Sequence, residues 1–144
     1  MIMRVQAKKN LGQHFLKDHA IARRIAESIR ADNCDSVLEV GPGMGILTGY
    51  LVERGFPDFR VIEIDNESVH YLTSHFPSLV IIRGDFLALP PSLIFNGRTA
   101  IIGNFPYNIS TQILFKVLEN KDMIPEVAGM LQKEVAERIC NGPG

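Results

Sequence analysis

The stretch Val37-Leu38-Glu39-Val40-Gly41-Pro42-Gly43-Met44-Gly45-Ile46-Leu47-Thr48 decides how the remainder of this chain is read. An apolar run interrupted only by Glu39 gives way to three glycines and a proline, and amphipathic spacing resumes at Leu47, Leu51 and Val52. That order predicts strand, tight turn and helix. Glycine tolerates positive φ and lets a ligand approach the bare backbone, while the helix behind the turn offers unpaired N–H groups and a partial positive charge. A plain turn satisfies the same pattern, so the motif acquires meaning only from the segments beyond it.

One helix-length segment later, Arg60-Val61-Ile62-Glu63-Ile64-Asp65 reads as a second strand. Its acidic residues lie about 20 positions past the glycines, the spacing of a ribose-reading carboxylate. The dinucleotide fingerprint places its last glycine where helix and strand touch; Ile46 holds that place here, and Gly45 comes one residue early. NAD is therefore disfavoured. The pattern Glu39-x-Gly41-x-Gly43-x-Gly45 resembles the first motif of class I S-adenosylmethionine-dependent methyltransferases, which implies a turn facing a cofactor without a pyrophosphate.

With 144 residues, 46% hydrophobic and 22% charged, the chain is long enough for one domain with a real core. A formal net charge of -1 gives no bulk attraction to nucleic acid, so RNA binding requires a local patch. Arg4, Lys8, Lys9, Lys17, Arg23 and Arg24 form a basic cluster that a solvated tail and helix face would equally explain. Cys34 and Cys140 have neither metal-ligand spacing nor disulfide density, so reduced thiols, no metal and a cytoplasmic location are expected. No signal peptide or membrane span is predicted.

Along the chain, Asp18 is a candidate N-cap for a helix with Ile21, Ile25 and Ile29 on one face, ending at Asp32-Asn33 and preceding the first strand. Val69, Leu72 and Phe76 mark a helix stopped by Pro77. Leu79-Val80-Ile81-Ile82 is predicted to be a parallel strand covered on both faces. After it, Asp85 is either a turn cap or an acid at the ligand crevice, and Phe86 could lie against a flat ring. A loop through Pro90 and Pro91 leads to a fourth strand, Ala100-Ile101-Ile102. Ser110 or Thr111 can then cap a helix burying Ile113, Leu114, Val117 and Leu118. Val127 to Leu131 is the fifth strand, and Gln132 to Cys140 a short helix.

The glycine turn, Glu63, Asp85 and Asn104 all fall at carboxyl ends of successive strands, so one crevice can collect them. In Asn104-Phe105-Pro106-Tyr107, the asparagine side-chain carbonyl and the proline backbone carbonyl can accept both hydrogens of one amino group. An aromatic amine is a poor nucleophile because its lone pair is delocalised, and two such acceptors favour the pyramidal geometry that restores it. Tyr107 could stack on an extruded base, a contact of roughly 1–3 kcal/mol. No strong general base is required; positioning and electrostatics carry the rate.

Asn10 to Leu16, Glu39 to Gly43, Glu63-Ile64-Asp65, Gly84-Asp85, Gly103 to Ser110 and Met130 to Ala136 together resemble the ribosomal-RNA adenine dimethyltransferases. The resemblance implies transfer of two methyl groups from S-adenosylmethionine to N6 of each of two adjacent adenines near the 3′ end of small-subunit rRNA, with the immature small subunit as partner. It implies a cofactor site of Gln13, His14, Leu16, Gly41, Gly43, Glu63, Ile64, Asp85, Phe86 and Asn104. Within it, His14 and Leu16 lie by the methionine end, Gly41 against the cofactor backbone, Glu63 on the ribose, Asp85 on the adenine amino group and Phe86 on the adenine ring edge. Asn104, Pro106 and Tyr107 are the implied catalytic residues. His14 stands where many members have asparagine, and Phe105 where leucine is usual.

The fold expected is a class I Rossmann-like α/β domain with a mostly parallel sheet, truncated after about the fifth strand. Residues 1–144 would be the N-terminal part of the catalytic domain, whose open final edge could pair with another copy. Rival readings are a methyltransferase for another planar amine, such as DNA adenine or a glutamine amide, and a non-catalytic RNA-binding or ribosome-assembly module retaining the cofactor pocket.

Overall fold

A computed structural model describes residues 1–8, 19–105 and 109–132. Its centre is the strand β2 (Ser36–Val40), buried along its whole length. β2 is flanked by β3 (Phe59–Glu63) on one side and by β5 (Thr99–Asn104) on the other. Beyond β3 lies β4 (Val80–Arg83), and beyond β5 lie β6 (Glu126–Gln132) and then β1 (Ile2–Lys8). All six described strands are parallel, in the order β1-β6-β5-β2-β3-β4. The chain moves outward from β2 through β3 and β4, then returns to the other side of β2 for β5 and β6. This reversal makes a topological switch point between β2 and β5, where open α/β sheets place their ligand crevice.

Helices cover both faces, as parallel strands with buried faces require. On one face, α1 (His19–Ser28) and α2 (Ile46–Glu53) bury Ile25, Ala26, Leu47 and Leu51 against Val37, Ala100, Ile102 and Ala128. Arg54, just past α2, donates from Nη1 to the carbonyls of Ala26 (2.6 Å) and Ile29 (2.8 Å), so one guanidinium satisfies two carbonyls at the end of α1. α3 (Asn66–His75) connects β3 to β4 and buries Val69 and Leu72. The opposite face is covered by a short α4 (Pro91–Ile94) and by α5 (Ser110–Glu119). There Ile94, Phe95, Ile113, Leu114 and Val117 meet Leu38, Ile62, Ile101 and Val127.

Several sequence expectations are corrected. A strand precedes the first helix: β1 pairs with β6 from Ile2↔Glu126 to Lys8↔Gln132, so the basic start belongs to the sheet and the predicted open edge at β6 is covered. The Leu79–Ile82 run is an edge strand, not one covered on both faces, and Val80 is 48% exposed. α1 ends at Ser28 rather than at Asp32-Asn33. Val52 and Leu118 face outward, and α5 takes Ile109 as its N-cap with Ser110 already helical. The expected N-cap Asp18 and the helix beyond Gln132 lie outside the described residues. Among the described residues no helix is long and apolar enough to cross a membrane.

Glu126 bolts the amino-terminal end of this sheet. Its buried carboxylate accepts from Arg4 Nε (2.6 Å) and from the backbone N–H groups of Arg30 (3.0 Å) and Ala31 (2.7 Å). Ala31 is left-handed, with φ 56°, which costs an alanine about 1–2 kcal/mol, and the carboxylate holds it there. Replacing Glu126 by alanine removes acceptors from one guanidinium and two amides at once. The expected loss is on the order of 3 kcal/mol in urea-induced unfolding; a loss below about 0.5 kcal/mol would show that the bolt carries no weight.

Candidate active site

The strand register assembles the crevice. Val40 pairs with Gly103 on one side and Ile62 on the other, so the glycine turn, Asn104 and Glu63 leave neighbouring strands at the same level. Glu63 pairs with Arg83, which brings Asp85 to the same rim two residues later. Residues spread over more than 60 positions therefore share one edge. Sequence spacing predicts this convergence for the glycine turn, Glu63, Asp85 and Asn104, and the family resemblance adds Ile64. Gln13, His14, Leu16, Pro106 and Tyr107 lie outside the described residues.

The turn's glycines serve two purposes. Gly41 and Gly43 have φ of 70° and 57°, and a Cβ at either would meet nothing within 4 Å, so both positions open onto free space. Gly45, the N-cap of α2, has φ 82°, and a Cβ there would come within 3.0 Å of Leu72 and Phe76 of the α3 region. The early third glycine thus lets α3 pack closely against the turn.

Glu63 holds the mouth of the crevice. Oε1 accepts the Gly43 N–H at 2.9 Å, and Oε2 accepts those of Ile64 and Asp65, each at 2.9 Å. One carboxylate thereby ties the end of β3 to the turn after β2, with three of its roughly four acceptor positions engaged. Next to it Ile64 is 66% exposed, an apolar side chain on the rim. Asp65 turns the other way and caps α3, accepting from the Ser68 backbone at 2.9 Å.

Glu39 lies beneath the turn, buried within β2, and accepts from Thr48 Oγ1 at 2.5 Å. Burial, opposed by the Thr48 hydrogen bond and reinforced by the nearby Glu63 charge, pushes its carboxyl up to about 8. Glu39 is therefore largely protonated at neutral pH. Thr48, fully buried on α2, is a residue that sequence reasoning does not single out; a polar side chain among the apolar positions of that helix is the available signal.

The structure shows the first of the two roles expected of Asp85, the turn cap. Oδ1 caps the turn after β4 by accepting the Leu87 N–H at 2.9 Å, while its backbone carbonyl accepts from Ala88 and Leu89. Among the described residues nothing bonds its other carboxylate oxygen. The expectation that the Phe86 ring lies against a flat ligand is corrected: the ring is buried in the core, edge-on to Phe95 with centroids 6.1 Å apart. An aromatic residue beside a strand end meets the core first when the adjoining helices are apolar.

Asn104 ends β5. Its Oδ1 is buried and has no hydrogen-bond partner among the described residues. A buried acceptor left without a donor costs about 1–3 kcal/mol, so this carbonyl is suited to a donor brought by a ligand. Phe105 fixes the backbone just beyond it. The fully buried ring packs where Gly103 and Gly129, paired across β5 and β6, leave space, and a Cβ on Gly129 would fall 2.9 Å from it. Glycine is required at position 129 first by the Gly103 carbonyl oxygen, 2.0 Å from where a Cβ would stand, and the Phe105 ring adds to that crowding.

The protonated state of Glu39 sets a pH signature. Between the unfolded value of 4.5 and the folded value of about 8, the unfolded chain loses the proton first, so this group's contribution to stability falls as pH rises and levels off above about 8. Glu39→Gln keeps an acceptor for Thr48 and removes the titration. Urea unfolding should show the variant gaining about 2 kcal/mol or more on the wild type between pH 5 and pH 8.5; a pH-independent difference would contradict the burial argument.

Comparison with known proteins agrees with this geometry. The family model described as Ribosomal RNA adenine dimethylase matches residues 4–144. The Ribosomal RNA small subunit methyltransferase A of Parabacteroides distasonis is 57% identical over 142 residues, covering 97% of this chain and 53% of that protein. Its counterpart in Flavobacterium johnsoniae is 56% identical over 144 residues, covering 98% and 55%. The chain thus spans about half the length of the curated relatives it matches. Among solved structures, the 23S rRNA methyltransferase ErmE aligns with a TM-score of 0.66 and 30% identity, over 87% of this chain and 50% of that one. A dimethyladenosine transferase from Plasmodium falciparum aligns with a TM-score of 0.55 and 25% identity, over 94% and 46%. The fold is that of the class I methyltransferases, and the chain belongs to the ribosomal RNA adenine dimethylase family.

Proposed function

We propose that this chain carries the cofactor-binding and catalytic part of an enzyme that dimethylates N6 of two adjacent adenines near the 3′ end of small-subunit rRNA, with S-adenosylmethionine as methyl donor. Its partner is the immature small ribosomal subunit, and its location is the cytoplasm. The observation that carries the reading is the buried Asn104 Oδ1 at the end of β5, one strand from the open glycine turn.

The residues suit the donor. Gly41 and Gly43 leave room for close backbone approach, and Glu63 supplies a carboxylate acceptor for ribose hydroxyls at the turn it already holds. Exposed Ile64 covers one face of a flat base, and the second oxygen of Asp85 accepts from an adenine amino group. The backbone of Phe86, rather than its buried ring, lines the base edge. Gln13, His14 and Leu16, which lie outside the described residues, are assigned to the cofactor by the family resemblance alone. S-Adenosylmethionine supplies an electrophilic methyl group on a sulfonium centre.

On the substrate side, Asn104 Oδ1 and the Pro106 carbonyl accept the two N–H bonds of the target amine. Held so, the amine would be pyramidal with its lone pair free for an electrophilic methyl group, and its proton would pass to water after transfer. Tyr107 stacks on the extruded adenine. After one transfer the amine retains a single N–H, which Asn104 alone can hold for the second.

Replacing Asn104 by alanine should lower methyl transfer to unmodified small subunits by about 100-fold or more, by analogy with losing one transition-state hydrogen-bonding group. Cofactor affinity, measured by calorimetry, should change far less. Comparable loss in both would move Asn104 from chemistry to cofactor binding, and cofactor binding with no transfer by the wild type would favour a non-catalytic module. Glu63→Gln should weaken cofactor binding about 10-fold or more, since an amide cannot accept at both ends; unchanged affinity would contradict its assignment.

A further inference from the structure

The turn after β4 is held from two sides. At its start Asp85 Oδ1 accepts the Leu87 N–H, and at its other side the Lys116 ammonium reaches across from α5. Lys116 Nζ donates to the backbone carbonyls of Phe86 and of Leu89, the latter at 2.6 Å. It also stands 5.1 Å over the Phe86 ring, a cation–π distance. The side chain is part-buried, on a helix that also buries Ile113 and Val117. Burial lowers its proton affinity, while Asp85 and then Glu119 act in the opposite direction to favour the charged form.

A lysine folded inward to collect two carbonyls of one short turn fixes that turn as well as stabilising the fold. Water can serve loop carbonyls without a protein donor, and an ammonium gives up hydration to reach them. What the contact does achieve is a fixed orientation for the segment bearing Asp85. The same helix, which begins at Ser110, is thereby tied to the turn after β4.

We infer that Lys116 is a positioning residue which, by gripping the Phe86 and Leu89 carbonyls, holds Asp85 where it discriminates the 6-amino group of the cofactor's base. The inference rests on the reading of Asp85 as acceptor for that amino group. Lys116 touches no reacting atom; it acts on base selectivity through the turn. A site built to accept an amine rejects an analogue carrying an oxygen there, because acceptor then faces acceptor.

The test compares S-adenosylhomocysteine with S-inosylhomocysteine by calorimetry in the wild type and in Lys116→Gln, Lys116→Met and Lys116→Arg. The wild type should bind the adenosyl compound at least about 10-fold more tightly than the inosyl compound. Lys116→Gln and Lys116→Met should bring that ratio near one, and Lys116→Arg, which can still donate to both carbonyls, should retain most of it. Merely structural damage would weaken both ligands alike, and Lys116→Gln serves should the methionine variant fail to fold. A wild-type ratio that survives in both the glutamine and the methionine variants overturns the role of Lys116. A wild-type ratio near one overturns the reading of Asp85, and the inference with it.

Discussion

A single carboxylate receives N–H groups from two strand ends, and this contact determines the shape of the crevice. Glu63 accepts from Gly43 on the turn after β2 and from Ile64 and Asp65 after β3. The turn cannot lift from the sheet without leaving a largely buried carboxylate short of a donor, which is far more costly than losing an ordinary surface contact. Gly45 supports the same geometry from behind by admitting Leu72 and Phe76. The glycines in front remain open, so the turn is rigid where it meets the protein and accessible where it meets a ligand.

Polar groups are concentrated at this carboxyl rim, against a sheet whose middle is almost wholly apolar. Each is treated differently by its surroundings. Glu39 is buried deeply enough to hold its proton, Glu63 is engaged by backbone amides, Asp85 divides its oxygens between a turn and the crevice, and Asn104 keeps a buried oxygen without a donor among the described residues. Only the last two leave acceptors available to incoming amino groups. Under the proposed function, Asp85 would recognise one adenine and Asn104 would hold the one that is modified. The opposite end of the sheet has its own buried acid, Glu126, fully occupied by Arg4, Arg30 and Ala31. It holds the amino-terminal end of the sheet together.

Five strands and their shared rim are legible in the sequence because parallel strands leave continuous apolar runs and because acids and glycines cluster where those runs stop. β1 escapes such a reading although Met3, Val5 and Ala7 alternate with Arg4, Gln6 and Lys8; the charges suggest a tail, and an edge strand's period of two is a weak signal over seven residues. β4 reads as central because an edge strand in a parallel sheet can be as apolar as an interior one. Phe86 misleads because residue type does not say which way a ring turns at a strand end. Lys116 is legible only in part: a lysine three residues after Ile113 on a buried helix face hints at an inward role, but its partners come from 27 and 30 positions away. The Asn104 motif singles out its side-chain oxygen as an acceptor, but that the oxygen is buried and unpartnered among the described residues is visible only in three dimensions.

The most direct test of the convergence is a crystal structure with S-adenosylhomocysteine bound. Its ribose should sit on Glu63, its adenine amino group on Asp85, and its sulfur should be directed toward Asn104 across the β2–β5 switch point. A ligand seated away from that rim, or one whose sulfur points away from Asn104, would contradict the convergence.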